Sequence, residues 1–376
     1  MKKFVLIPDS FKGTLSSKRI CQTMEEKIKK IYGEADIVSI PVADGGEGSV
    51  DCFLTALGGE KVFVNCKGPY LSNMQGFYGL IDNGKTAVIE MASVAGLPLV
   101  ENNKNPLKTT TYGVGELMLD AVNRGAKKII LGLGGSCTND FACGLASACG
   151  VKFYDALDKE FLPVGESLKD VCRIDLSGID KRFKDVEIAV MCDIDNPPFG
   201  INGAAHVFAP QKGANKEQVE LLDQGVKHLC QVIKKQFNLD LSTLKGGGAA
   251  GAMGAGMVAF FGATLKMGID TVLETVGFDQ IIKNADYIFT GEGKIDGQSL
   301  RGKVVIGVSR RAKAIGVPVM AIVGGAEGDI SEAYDNGVSA VFTINRLPED
   351  FSISRFKSEE NLSFAFENVL RMLKTC

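Results

Sequence analysis

The chain has 376 residues, 45% of them hydrophobic and 23% charged, and a formal net charge of −3. That length exceeds one ordinary core and suits two domains at roughly 100–200 residues each, so a cleft between domains is expected, and the composition excludes a disordered or fibrous chain. The slightly acidic balance supplies no cationic surface for nucleic acid or an anionic membrane, which leaves small ligands as the expected partners.

The N-terminal Lys2-Lys3 is followed by a short apolar run, Phe4 to Ile7, before Pro8 and Asp9. It predicts a strand over Phe4 to Pro8 and is too short for a secretory signal. An amphipathic helix follows from about Ser16 to Ile31, with Ser16 or Ser17 as N-cap, then a strand over Ile37 to Val42. Lys61 to Met91 alternates and is broken at Gly68-Pro69, Asn73 and Asp82-Asn83-Gly84, the pattern of a hairpin-rich antiparallel region. Helix Gly113 to Asn123, strands Lys128 to Leu133 and Val186 to Met191, and a long helix Lys216 to Gln236 lead to a glycine-alanine segment from Gly246. Near the C-terminus strands and helices alternate again: strand Tyr287 to Thr290, helix Lys303 to Ala314, strand Pro318 to Val323, a short helix, and strand Ala340 to Ile344. Alternation of this kind favours a parallel sheet covered by helices.

The predicted fold class is therefore α/β with two domains. A Rossmann-like parallel-sheet domain is built from both chain ends, 1–68 plus 285–376, and a mixed α/β domain, 69–284, is inserted between them. No apolar stretch approaches the roughly 18–20 residues that span a bilayer, and a cytoplasmic protein is expected. The ten cysteines include no Cys-x-x-Cys pair, as expected of reduced, mostly buried thiols. The two histidines, His206 and His228, lie in different segments, which argues against histidine zinc sites and serine-histidine hydrolysis. His228 is expected on a solvated helix face.

In open parallel sheets, ligands bind beyond the carboxyl ends of the strands, so the residues after each predicted strand matter most. They read Asp9-Ser10-Phe11-Lys12-Gly13, Asp44-Gly45-Gly46-Glu47-Gly48, Gly134-Gly135-Ser136 through Asn139-Asp140, Asp193-Ile194-Asp195, Glu292-Gly293-Lys294-Ile295-Asp296, and Gly324-Gly325-Ala326-Glu327. Any one of them reads equally well as a turn. As a set they supply glycine for close backbone approach to phosphate, lysine for charge, and carboxylates for a divalent ion or a hydroxyl proton, which is the equipment of phosphoryl transfer. Gly134-Gly135-Ser136 with Thr138-Asn139-Asp140, opening an alanine-glycine helix, is the best predicted anion site. Lys212, on the turn Pro210 to Ala214, reads equally as a solvated side chain or a ligand contact. Gly297 to Val304 has Walker-like spacing, but Val304 stands where a hydroxyl is needed. Gly246 to Gly251 has dinucleotide-like spacing but follows no convincing strand.

Taken in order, these loops resemble the type I glycerate kinase family. The stretches that carry the resemblance are Pro8 to Gly13, Ala43 to Gly48, Gly132 to Asp140, Met191 to Pro197, Pro210 to Ala214, and Thr290 to Asp296 with Gln298-Ser299. Cys137 and Pro198-Phe199 depart from the usual family pattern. The resemblance implies ATP-dependent phosphorylation of D-glycerate, commonly to 2-phosphoglycerate, with Mg2+.

Under that implication Lys12 and the Gly134, Gly135 and Ser136 amides hold phosphate, and Asp193 and Asp195 help bind Mg2+. Asp44 or Asp296 accepts the hydroxyl proton, and Arg301 or Lys294 pairs with the substrate carboxylate. Ser10, Gly45, Gly46, Glu47, Asn139, Asp140 and Glu292 complete the expected binding residues. Two other classes stay open on sequence alone: a dehydrogenase using NAD(P) on a small hydroxy acid, and a non-catalytic two-lobed sensor of a small anion. Oligomeric state is not legible.

Overall fold

The computed structural model describes residues 1–43, 45–297 and 299–375. Its strands run in chain order as β1 (Lys3–Pro8), β2 (Asp36–Ser39), β3 (Glu60–Lys67), β4 (Asn73–Ile81), β5 (Thr86–Glu90), β6 (Lys128–Gly132) and β7 (Lys152–Tyr154). They continue as β8 (Glu160–Phe161), β9 (Arg173–Asp175), β10 (Glu187–Met191), β11 (Thr264–Lys266), β12 (Tyr287–Gly291), β13 (Val319–Val323) and β14 (Val338–Thr343). The helices that matter below are α1 (Ser17–Tyr32), α2 (Ser49–Leu57), α3 (Tyr112–Asn123), α4 (Cys143–Ala148), α5 (Lys216–Phe237), α6 (Ala249–Phe261), α7 (Val304–Lys313) and α8 (Ser358–Thr375).

Contacts divide the chain into two units, one made of Met1–Asp44, Thr55–Leu57 and Met267–Cys376, the other of Gly45–Leu54 and Gly58–Lys266. The sequence reading set its divisions near residues 68 and 284. Strand β3 pairs with β4 along its whole length, from Glu60↔Leu80 to Lys67↔Asn73, so the hairpin carries β3 into the second unit's sheet.

The first unit holds a five-stranded sheet in the order β14-β13-β12-β1-β2, parallel throughout. The chain steps from β1 to β2 on one side and then builds β12, β13 and β14 on the other, so the direction of winding reverses between β1 and β12. Alternation along β13 shows how the sheet is covered. Met320 and Ile322 pack with Ile20, Met24 and Ile28 of α1 and with Leu362, Phe366 and Leu370 of α8. Ala321 and Val323 pack on the other face with Val305 and Ile306 of α7. Each fully buried Leu, Ile, Met or Phe of these layers contributes about 1.5–3 kcal/mol relative to exposure. Helix α1 begins where predicted: Ser16 has extended dihedrals and its side chain accepts from Arg19 N at 3.2 Å.

The second unit holds a six-stranded mixed sheet, β11-β10-β6-β5-β4-β3, in which β5, β6, β10 and β11 are parallel and the β3–β4–β5 meander is antiparallel. Its core draws on α3 (Leu117, Met118, Ala121), while α5 (Val226, Leu229, Ile233) packs in a separate core with Phe153 of β7, Ile174 of β9 and Phe260 of α6. The chain is thus α/β with one parallel and one mixed sheet, as expected in kind. The small sheet β8-β7-β9 and helices α2 and α8 are additions to the predicted elements. Strands of two or three residues are too short to show an alternation. Among the described residues no helix is long and apolar enough to cross a membrane.

Candidate functional site

Parallel strands put their following loops along one edge, and the reversal of winding in the first unit leaves a crevice between the loops after β1 and β12. The two loops are joined at the strand ends, where Asp9 N donates to Gly291 O at 2.8 Å and Thr290 Oγ1 donates to Ile7 O at 2.9 Å. An added Cβ on Gly293 would lie 3.3 Å from Lys12 N, so the second loop runs directly beside the first.

Glu292, the first loop residue after β12, is 6% exposed, and its Oε1 has no hydrogen-bond partner among the described residues. Burial pushes its carboxyl up to about 7, with Asp9 and Asp296 adding to the rise and the Ser299 hydrogen bond and Lys303 charge opposing it. A carboxyl divided between two protonation states at neutral pH, at the switch point of an open sheet, is suited to moving a proton. The rest of the loop is held in place. Ile295 N donates to Gly325 O at 3.0 Å and Glu327 N to Ile295 O at 3.0 Å. Lys294 Nζ lies 3.2 Å from Asp296 Oδ2 and 2.6 Å from Glu327 Oε2 in an exposed network. Ser299 N donates to Asp296 Oδ1 at 3.3 Å.

In the second unit, Gly45 and Gly46 lie against the end of β6. Gly134 N donates to Gly45 O at 3.0 Å. A Cβ on Gly132 would meet Gly45 O at 2.3 Å, and one on Gly134 would meet Gly46 Cα at 2.5 Å, so the two loops approach to a distance only glycine allows. Glu47 beside them is exposed. Just beyond, Val50 N donates to the buried Glu90 Oε1 at 2.6 Å, which sets a carboxyl at the start of α2.

The chain after Gly135 turns inward. Ser136 is 6% exposed, and Thr138, Asn139 and Asp140 are fully buried. Asp140 Oδ2 accepts from Thr111 N at 2.7 Å, Thr111 Oγ1 at 2.9 Å, Thr110 Oγ1 at 3.3 Å and Gly144 N at 3.3 Å. Burial raises its proton affinity against those donors. The predicted helix opening at this point is α4, only six residues long, and it is preceded by Phe141 and Ala142 with φ of 56° and 60°. Asp140 therefore braces the Thr109–Thr111 segment rather than presenting a helix N-terminus. Facing it, Ala250, Gly251 and Ala252 also have positive φ, and Phe141 N donates to Gly251 O at 3.1 Å. Left-handed conformations at four alanine or phenylalanine positions cost of order 1–3 kcal/mol each and persist where the surroundings enforce them.

Lys212, one of whose two readings was a solvated side chain, is 2% exposed. Its Nζ donates to Ser136 Oγ at 2.8 Å and to Thr138 O at 2.6 Å. His228 is likewise half-buried rather than solvated, and its Nε2 donates to Val171 O at 2.8 Å.

Asp193 and Asp195 follow β10, the first half-buried and the second exposed. Both raise the proton affinity of the Cys192 thiol, which burial chiefly pushes up to about 11. Among the described residues no group of three or more His, Cys, Asp or Glu side chains is assembled to hold a metal unaided. One or two carboxylates completed by phosphate oxygens and water suit Mg2+, so the donor set fits that ion.

Of the residues expected from sequence, Ser10, Lys12, Glu292, Lys294 and Asp296 fall on the two neighbouring loops of the first unit. Gly45, Gly46, Glu47, Gly134, Gly135, Ser136, Asn139 and Asp140 form one run of loops in the second, and Asp193 and Asp195 follow a strand of the same sheet. Asp44 and the side chain of Arg301 lie outside the described residues. The sequence analysis places Asp9 in the first loop without a role of its own, and it does not include Glu90 or the Thr110-Thr111 brace, for which a threonine run gives no signal.

A model of the Glycerate kinase family matches residues 4–374. The chain is 41% identical over 373 residues to the glycerate kinase of Bacillus cereus, covering 99% of this chain and 98% of the relative. It is 43% identical over 343 residues to the glycerate 2-kinase of Escherichia coli, covering 91% and 90%. The crystal structure described as glycerate kinase 2 from Salmonella typhimurium LT2 superposes with a TM-score of 0.88 at 38% identity, covering 100% of this chain and 98% of that one.

Proposed function

The chain belongs to the glycerate kinase family and is therefore a phosphotransferase, and from that premise we propose that it transfers a phosphoryl group from ATP to D-glycerate, giving 2-phosphoglycerate. The observation that supports this most directly is the placement of glycine, lysine and carboxylate loops after the parallel strands of both sheets, with Glu292 poised near neutral pH.

Phosphoryl transfer asks the protein for position and charge rather than covalent chemistry. The Gly134 amide is taken by Gly45 O, so the Gly135 and Ser136 backbone is left to hold phosphate oxygens, with Lys12 supplying charge. Asp193 and Asp195 would hold Mg2+, which when bound neutralises charge on the phosphates. Lys294 or Arg301 pairs with the glycerate carboxylate. Asp44 and Asp296 stand as acceptors of the hydroxyl proton, but Asp296 is already engaged with Lys294 and Ser299. We therefore assign that proton to Glu292, a buried carboxyl with a vacant Oε1 and an affinity near 7. The cytoplasm, with its ATP pool, is the compartment proposed.

The test is ADP release by purified protein with Mg-ATP across small hydroxy acids, with phosphorus NMR of the product. Release with D-glycerate and a 2-phosphoglycerate resonance are expected, and no release with D-glycerate would end the proposal. Asp193→Asn and Asp296→Asn should each lower kcat with little change in stability. If both turned over at the parent rate, those two assignments would fail.

A further inference from the structure

Lys212 is a long cationic side chain taken out of water. It is the last residue of the short turn Pro210–Lys212, and its ammonium reaches Ser136 Oγ at 2.8 Å and Thr138 O at 2.6 Å. Its bonding partners are thus a hydroxyl and a carbonyl, not a carboxylate. A buried charge with only neutral partners is costly. The ionisable groups facing it are Cys137 and Asp140, and Asp140 directs its Oδ2 to Thr110, Thr111 and Gly144. Beside them, Thr138 Oγ1 and both Nδ2 and Oδ1 of the fully buried Asn139 have no hydrogen-bond partner among the described residues.

The consequence for Ser136 is directional. A hydroxyl has one proton and two lone pairs, and here the ammonium occupies an acceptor position, so the Ser136 proton is available to donate elsewhere. A hydroxyl that accepts from a cation is a stronger donor than a free one, because hydrogen bonds in a chain polarise one another. Its natural acceptor is an oxyanion.

We propose that Lys212 is a positioning residue for phosphotransfer: it ties Ser136 to Thr138 and directs the Ser136 hydroxyl to donate to a phosphate or carboxylate oxygen of the bound substrates. This deepens the phosphotransferase reading above and rests on it. Burial lowers the ammonium to about 8, with Cys137 and Asp140 pulling it back up, so the device works below that pH and fails as Lys212 loses its proton above it.

The experiment is a pH profile of kcat/KM for D-glycerate and for ATP on the full chain, alongside unfolding midpoints. Wild type should lose activity as pH rises through about 8. Lys212→Met should lower kcat/KM on the order of 10²-fold below that pH and remove the alkaline limb, as expected for the loss of one preorganised donor. Lys212→Arg, which keeps its charge at all accessible pH, should recover part of the activity and carry the limb to higher pH. If Lys212→Met only lowers the unfolding midpoint and keeps the wild-type profile, the proposal is overturned. Should Lys212→Met not fold, Ser136→Ala decides: loss of the limb with a raised KM supports the proposal, and an unchanged profile overturns it.

A readout that needs no turnover separates this inference from the activity it rests on. Sulfate, which does not titrate in this range, should raise the unfolding midpoint of wild type more below pH 8 than above it, and more than that of Ser136→Ala. Equal gains in both proteins at both pH values overturn it. Absence of glycerate phosphorylation by wild type would sink the proposed function and leave the sulfate comparison to decide the role of Lys212.

Discussion

Two strand-to-loop junctions treat charge in opposite ways. After β12, Lys294, Asp296 and Glu327 form an ion-pair network whose lysine is half-exposed, at 52%. At the loop after β6, Asp140 and the Lys212 side chain that reaches in from the Pro210–Lys212 turn are withdrawn from solvent and bonded to hydroxyl, carbonyl and amide groups instead. Exposed pairs gain little because water screens them and side-chain entropy opposes them, whereas buried groups change proton affinity and cannot be removed without leaving partners unsatisfied. Glu292 shows the same contrast within one loop, since it lies two residues from Lys294 and behaves like the buried set.

The sharpest way to break this comparison is Glu292→Gln. Its kcat should fall on the order of 10²–10⁴-fold and lose the rise with pH that wild type shows through about 7, measured by ADP release. Stability should move the other way. A glutamate raised from its ordinary 4.5 to about 7 binds its proton more tightly in the folded chain, so its stabilising contribution is complete below 4.5 and is lost as pH rises through 7. Glu292→Gln should therefore unfold at a higher temperature than wild type at pH 8, and the two midpoints should draw together towards pH 4.5. A lower midpoint at pH 8 would mean that the charged carboxylate is satisfied after all.

Next in size is Asp140→Ala. It leaves the Thr110, Thr111 and Gly144 donors without their acceptor, and should cost about 2–5 kcal/mol by urea denaturation. Gly251→Ala follows, because φ is +71° and the added Cβ would meet Thr138 O at 2.2 Å. A loss of roughly 1–3 kcal/mol is expected, with m unchanged. The smallest effect is that of Lys294→Ala, which should leave the unfolding midpoint where it was and change at most the KM for glycerate. If Lys294→Ala destabilised the protein as much as Asp140→Ala, the distinction between the two junctions would be wrong.

The periodicity of α1, the alternation from Lys61 to Met91 and the apolar runs of β1, β6, β10, β12 and β13 were legible because each element's burial face repeats along its own residues. So was the order of the acidic and glycine-bearing loops, since those residue types are local requirements of a turn. What the sequence could not convey is environment. Lys212 and Lys294 both stand on turns beside glycine, yet one is enclosed and the other solvated, because the enclosing groups of Lys212 come from more than 70 residues away in the chain. Glu292 and Asp296 are both loop acids, and only the packing around the end of β12 sets one near neutrality and pairs the other with lysine. Local sequence determines which way a backbone turns and which groups it carries. Burial and hydrogen-bond partners, which decide the charge on those groups, depend on contacts that exist only once distant segments have packed.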